Sequence, residues 1–432
     1  MIENQALPRK AIGQGIGSHT AFLCIAAIFM SPVFSTLLLS SWNGTFSDWQ
    51  SAARLFFLPA LYLEIAICIF AFVRGFSFAK LFACSPMSVK MLFALWLMVF
   101  FTSTMFADTN QSAAIVGTGF WIVHILFFLA VAYLVRMDGI EALHLETLGV
   151  LLAASAAFSG VVLYGFANIK GLDGDLEWVS YLPGFAHIRH TGYVFAPAIA
   201  ISLAHMAARP YKFRKTHMVL LVLNTALMLW LGSRGPVFAV LVASIVCMIF
   251  FSEMRSVRFL LNTAIAGITG AILSLIAPLP NHGAFGAIQR FWSSSSDPTA
   301  FSSGRLNFWS ETADLILQQP VIGHGVFQFQ FVSTNAAGIY KHPHNSILQF
   351  MFDWGVIGAG LLVTLIGCAI HAAFFKAKPS PYVRLVSAMG FITMLAFSLL
   401  DGVFFYSYTI AISMIFVILP IATGYSNPKS SA

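Results

Sequence analysis

The sequence predicts an all-α polytopic membrane protein with about twelve transmembrane helices and one large loop region on the outer side. Three observations carry that prediction. Of 432 residues, 59% are hydrophobic and only 9% charged, with a mean hydropathy of +0.84. Soluble domains carry about 25% charged residues. The apolar residues fall in runs long enough, or nearly so, to cross a bilayer. The basic residues are distributed unequally between the two sets of connections.

The runs fall at about 19–40, 52–73, 88–107, 113–135, 143–167, 192–208, 216–231, 235–251, 257–277, 355–375, 383–400 and 403–422. Polar or Gly/Pro breaks divide them at Asp108-Thr109-Asn110-Gln111, at Gly232-Ser233-Arg234-Gly235-Pro236 and at Asp401-Gly402. With both termini on the cytoplasmic side, only Arg54, Lys170, Arg189, Arg234, Arg290, Arg305 and Lys341 lie outside, out of 23 Lys and Arg residues. The positive-inside rule favours this orientation over its inverse. The formal charge of +7 thereby belongs to short inner loops and does not imply a nucleic-acid partner.

Three segments follow: transmembrane helices 1–9 over 1–277, the large outer loop region over 278–354, and helices 10–12 with a cytoplasmic tail over 355–432. The polar stretch before Ser18 precedes a run long enough to span, read as a retained first helix and not a cleaved leader. Cys24, Cys68, Cys247 and Cys368 sit in apolar runs and Cys84 in an inner loop. No structural disulfide or cysteine metal site is expected from that placement.

Within the large loop, Arg305 to Gln319 has helical spacing, with Leu306, Trp309, Ala313, Ile316 and Leu317 on one face. Ser302 or Ser303 is the expected N-cap and Pro320 the stop. This is an amphipathic helix for the outer membrane surface. Gly323-His324-Gly325 then turns the chain back towards His342.

The chemistry is expected where that loop meets the tenth run, at Lys341-His342-Pro343-His344-Asn345. Pro343 restricts the backbone before it, which puts His344 at the rim of a helix. A neutral imidazole there suits a general base. His342 and His344 have the only H-x-H spacing among the six outer histidines (the others are His187, His190, His282 and His324). No matched carboxylate pair accompanies them, so no metal is expected. Arg234, in a tight turn between two apolar runs, suits a bidentate clamp on a phosphate or pyrophosphate; snorkelling to lipid phosphate is the alternative. Arg189, Arg290 and Arg305 add cations on the same side. Asp353 and Asp401, near the outer rim, are expected to orient an arginine or histidine. Glu64 lies midway along the second run and receives no role.

These residues resemble the O-antigen ligase and O-antigen polymerase superfamily of bacterial envelope glycosyltransferases. His344-Asn345, nine residues, then Gly355-Val356-Ile357-Gly358 resembles the pattern H-[NSQ]-x9-G-x-x-[GTY]. Gly232-Ser233-Arg234-Gly235-Pro236 is similar to the family's serine–arginine turn, with Phe238 where ligases often have Leu. Arg305 with Trp309, then Pro320-Val321-Ile322-Gly323-His324-Gly325, resembles its outer-loop motif, and Arg189-His190-Thr191-Gly192 an R-x-x-G element. The resemblance implies a GT-C-like membrane fold in the bacterial inner membrane with its active site facing the periplasm. It implies transfer of a glycan from undecaprenyl pyrophosphate to a sugar hydroxyl of lipid A–core, with no cofactor. His344 would be the catalytic base and Arg189, Arg234 and Arg305 would bind pyrophosphate. His342, Asn345 and Arg290 would support them. A polymerase using the same donor, or a transporter of lipid-linked oligosaccharide, are the competing expectations.

Overall fold

The computed structural model describes residues 19–38, 58–107, 109–170, 182–185, 187–208, 212–280, 283–293, 304–336 and 340–424. Among them there is helix and loop but no strand. The helices are α1 (Thr20–Leu38), α2 (Leu58–Val73), α3 (Phe78–Cys84), α4 (Met87–Met105), α5 (Gln111–Asp138), α6 (Ala142–Lys170), α7 (Gly192–Ala207), α8 (Arg214–Trp230), α9 (Arg234–Phe250), α10 (Val257–Ile276), α11 (Ala287–Ser293), α12 (Arg305–Gln318), α13 (Phe329–Val332), α14 (Ser346–His371), α15 (Pro381–Ser398) and α16 (Ser407–Gly424).

Each of the twelve apolar runs coincides with one helix. Eight of these are long and apolar enough to cross a membrane: α1, α4, α5, α6, α10, α14 with its π-type extension to Lys376, α15 and α16. The other four, α2, α7, α8 and α9, run only 16 or 17 residues among the described residues. Among the described residues, length and composition thus support eight of the twelve expected spans, with four shorter helices beside them.

The interior is built around α7, whose sixteen residues are all buried. Ala196, Ala198, Ala200, Ala204 and Ser202 keep its girth small, so α6, α8, α9 and α15 approach closely. α16 is buried by α5 and α15, whereas α4, α10 and α14 present apolar flanks outward. Glu64 on α2 accepts from His124 Nδ1 on α5 at 2.6 Å, both side chains being inaccessible. The Glu64 left unassigned by its sequence position thus ties two helices together. Cys24, Cys68, Cys247 and Cys368 are unpaired.

The loop over 278–354 needs two corrections. First, the helix after His344 begins at Ser346, nine residues before the expected start at 355. It breaks at Gly355, where φ is 65°. Loop backbone fills the break: Val356 N donates to Pro320 O at 2.8 Å, His324 N to Phe352 O at 2.8 Å and Gly325 N to Asp353 O at 3.0 Å. A Cβ on Gly355 would stand 2.3 Å from Val321 O, so only glycine fits this junction.

Second, α12 buries only part of the expected stripe against the protein. It buries Thr312, Leu315 and Ile316, with Phe308 packed against the same small core of Phe329, Ala336 and Phe352. Ile316 of the expected stripe is among them, whereas Leu306 and Leu317, expected to face the membrane surface, are 48% and 76% exposed. α12 has two faces of apolar residues, and contact with α14 selects the second. Gly304 is its N-cap, with φ 78° and no side-chain cap bond; Ser302 and Ser303 lie outside the described residues.

Candidate active site

Five helix ends meet at one end of the bundle: the starts of α7, α9, α12 and α14 and the end of α15. His344 sits just before α14 with φ 55°, one of two non-glycine residues in the left-handed region. Such a backbone costs on the order of 1–3 kcal/mol and persists only where its surroundings hold it. Here three contacts hold it. His344 N donates to His342 Nδ1 at 3.2 Å. Asn345 caps α14, its Oδ1 accepting from Ile347 N at 3.0 Å and Leu348 N at 3.1 Å. The Asn345 amide also donates to Leu399 O at 3.1 Å. The constrained turn expected from Pro343 is this left-handed step and cap.

The strained turn aims the imidazole at Asp401, which lies between α15 and α16. His344 Nδ1 is 2.8 Å from Asp401 Oδ1. With Nδ1–H donating to the carboxylate, Nε2 is the unprotonated nitrogen. Asp401 Oδ1 also accepts from Tyr193 Oη at 2.9 Å and from Gly402 N at 2.8 Å. Its Oδ2 pairs with Arg305 at 3.3 Å. Burial alone would raise the Asp401 carboxyl. The neighbouring His344, Arg305 and His342 outweigh that and hold it well below the ordinary carboxylate value. It is an anion under all ordinary conditions.

On the other side of Asp401 lies a polar pocket lined by Arg189, Ser233, Arg234, Arg290 and Arg305. Arg189 lies on the 3-10 turn Ile188–Thr191 before α7, Arg234 opens α9, Arg290 is on α11 and Arg305 opens α12. Gly232, with φ 81°, lets the chain turn into α9 while Arg290 Nη1 donates to its carbonyl at 2.8 Å and to Ala284 O at 3.3 Å. Arg234 in turn donates to Arg290 O at 3.3 Å and lies over the Phe291 ring at 5.8 Å. Burial and the neighbours Arg234, Arg189 and Arg305 push Arg290 down to about 10. Burial, then Arg305, lowers Arg189, although Asp401 opposes them. Four guanidinium groups face one carboxylate here. Such an excess of half-buried positive charge is suited to an anion of more than one charge.

Behind His344, His342 is buried. Its Nε2 is 3.0 Å from Tyr406 Oη, which is 3.3 Å from His190 Nε2. Burial holds both histidines neutral, with His342 well below its ordinary value and His190 down to about 3. One ligand atom each from His342, His344 and Asp401 lie within 4.8 Å of one another, close enough to hold a metal ion. However, both His342 nitrogens and His344 Nδ1 already carry hydrogen bonds within the protein. The donor set therefore fits a hydrogen-bonded network better than a metal site.

The structure thus brings Arg189, Arg234, Arg290, Arg305, His342, His344 and Asn345 together through Asp401. Asp353 does not join them. It is buried in α14 beside Gln349, and its Oδ2 has no partner among the described residues. Its expected role in orienting an arginine or histidine is corrected: the break at Gly355 turns it inward. His324 is structural, its Nε2 2.9 Å from Leu315 O and its ring stacked on Phe352. His187 accepts from Arg189 N at 3.1 Å. His282 lies outside the described residues. Sequence reasoning missed Tyr193 and Tyr406. Tyr193 stands four residues after Arg189, one helical turn on, which was the available signal.

Eight apolar helices long enough to cross a membrane, with an imidazole, a carboxylate and a cationic pocket gathered at one end of the bundle, define a multi-pass membrane protein with one polar site. Residues 219–363 match the family model described as O-antigen ligase, so that segment is similar to the O-antigen ligases. The matched segment contains Arg234, Arg290, Arg305 and His344, whereas Arg189 and Asp401 fall outside it. No curated protein sequence matches the chain.

Proposed function

We propose that this chain is an O-antigen ligase of the bacterial inner membrane. It moves a glycan from undecaprenyl pyrophosphate to a sugar hydroxyl of lipid A–core at the periplasmic face, with both termini in the cytoplasm. The observation that carries the reading is Asp401, which touches Arg305 at 3.3 Å with one oxygen and His344 at 2.8 Å with the other. It couples a proton acceptor to an anion pocket, the two groups that glycosyl transfer from a pyrophosphate requires.

The acceptor hydroxyl gives its proton to His344 Nε2 as its oxygen bonds to the anomeric carbon. The bond from that carbon to the pyrophosphate oxygen breaks, and its electron pair leaves with the diphosphate. Arg189, Arg234 and Arg305 neutralise the growing charge, as preorganised donors do in other transferases. The hollow holds only about 30 Å³, so it receives phosphate oxygens at its rim. Arg290 spends its donors on backbone carbonyls and shapes the turn that carries Arg234. Asp401 fixes the His344 tautomer and stabilises the imidazolium. General-base assistance of this kind is worth about 10²- to 10⁴-fold.

The test is glycan transfer in vitro by purified, correctly inserted His344→Ala and Arg234→Ala. Both should lose at least about a hundredfold in rate. Transfer near the wild-type level by either variant sinks the proposal. A polymerase would use the same donor. Loss of the gene separates the two: bare lipid A–core with long polymer left on the carrier supports a ligase, and single repeat units on the core support a polymerase.

A further inference from the structure

Two aromatic rings stand beside His344. Phe308, on the first turn of α12, has its ring centroid 6.0 Å from that of His344. Tyr340, which enters the His342 turn, lies 5.7 Å from His344 and 4.8 Å from Phe308. All three rings meet edge to face, at 64–72°. Phe308 is anchored from below by the small core of Leu315, Ile316 and Phe352. Tyr340 is 38% exposed. Its hydroxyl has no hydrogen bond among the described residues, although a tyrosine packed against protein ordinarily finds one.

We infer that Phe308 and Tyr340 form a sugar-binding platform that receives the apolar face of the acceptor pyranose and sets its hydroxyl at His344. This rests on the ligase reading above and names a subsite for it. A pyranose presents C–H groups on one face and hydroxyls at its edge. An aromatic face takes the first by dispersion and weak C–H contacts. A free phenol beside it takes the second as donor or acceptor. The attacking sugar is the group that must lie next to the base, whereas the departing pyrophosphate lies on the arginine side of Asp401. An aromatic pair touching the base therefore belongs to the acceptor. Phe308 supplies the fixed wall, because α12 and α14 hold it. Tyr340 supplies the adjustable one.

The experiment uses the full-length protein in detergent or nanodiscs, with purified lipid A–core and a lipid-linked glycan donor. Rates are measured against acceptor at saturating donor, then against donor at saturating acceptor. Tyr340→Ala should raise the acceptor KM about tenfold and leave the donor KM within twofold. Tyr340→Trp should restore most of the loss, and Tyr340→Phe should lie between. Phe308→Leu keeps the core filled and should also raise acceptor KM. An unchanged acceptor KM in Tyr340→Ala, or an increase confined to the donor, overturns the platform. So does Tyr340→Trp behaving like Tyr340→Ala, since a stacking surface for the sugar would be kept by either aromatic. His344→Ala serves as the control: if it transfers normally, the ligase reading fails first. If it is dead while the Tyr340 variants match wild type, the platform alone fails.

Discussion

Replacing Asp401 by Asn removes one charge and almost no volume, and the surrounding donors dictate how the amide must sit. Asp401 Oδ1 accepts from three groups, His344 Nδ1, Tyr193 Oη and Gly402 N, at 2.8–2.9 Å. Oδ2 faces Arg305 at 3.3 Å. An amide nitrogen in the first position would oppose three donors, so the oxygen stays there and the NH2 turns towards Arg305. His344 keeps its orientation, while the charge that stabilises its protonated form is gone and the Arg305 pair is lost. Bonds to charged groups are worth about 1.5–3 kcal/mol against about 0.5–1.5 for neutral ones. The His344 contact thus weakens by about 1–1.5 kcal/mol. The half-buried Arg305 pair adds about 1 kcal/mol more. At about 1.4 kcal/mol per tenfold, transfer should slow by about 30- to 60-fold. The assay is the initial rate of glycan transfer from pH 5 to 9, beside a thermal melt to confirm folding. Because Asp401 is held well below the ordinary carboxylate value, it stays ionised across that range, and the deficit should be similar at each pH. A folded Asp401→Asn protein within threefold of wild type would refute the coupling of base and cation pocket through this carboxylate.

Other outcomes follow from the same contacts. His342 and His190 are held neutral when folded, whereas the unfolded chain protonates them below about 6.5. Stability should therefore be full above that pH and fall as acid is added, by up to about 1.4 kcal/mol per pH unit per histidine. Melts at pH 7 and pH 5 should show a smaller drop for His342→Gln than for wild type. Gly355→Ala should cost at least about 2 kcal/mol, from the left-handed backbone and the overlap with Val321 O, read as a lower melting temperature. Arg290→Lys keeps the charge but lacks the planar guanidinium whose Nη1 reaches both Gly232 O and Ala284 O. It should raise the donor KM about tenfold while the acceptor KM stays put, and a normal donor KM would count against its part in shaping the Arg234 turn.

Hydropathy located each long helix because twelve apolar runs can be buried in lipid or in one another. It did not locate the start of α14. Polar Gln349 and Asp353 interrupt the pattern there, and both are buried by the loop strand that docks at Gly355. The residues by which α12 packs on the protein were only partly legible, for a related reason. Apolar spacing identifies a stripe but not the partner that covers it, and here Thr312 turns inward, its hydroxyl bonded to Phe308 O at 2.5 Å. The arginines and His344 were legible as charges where charge is costly. Their convergence on Asp401 was not, since that contact links positions 305, 344 and 401 across separate segments. Tyr406, Phe308 and Tyr340 had no distinguishing mark among 43 phenylalanines and 11 tyrosines.

The junction at Gly355 also explains a spacing. Asn345 must sit where its amide crosses to Leu399, and Gly355 must sit where the loop backbone threads the helix. Ten residues of helix separate them by about 15 Å, which makes the intervening nine a ruler between two fixed docks. One residue inserted into that ruler would swing the glycine by about 100° around the axis and bring a side chain against the Val321 carbonyl. Lengthening the chain between Gly325 and His342 would disturb neither dock. Length variation is tolerable before the histidines and intolerable after them.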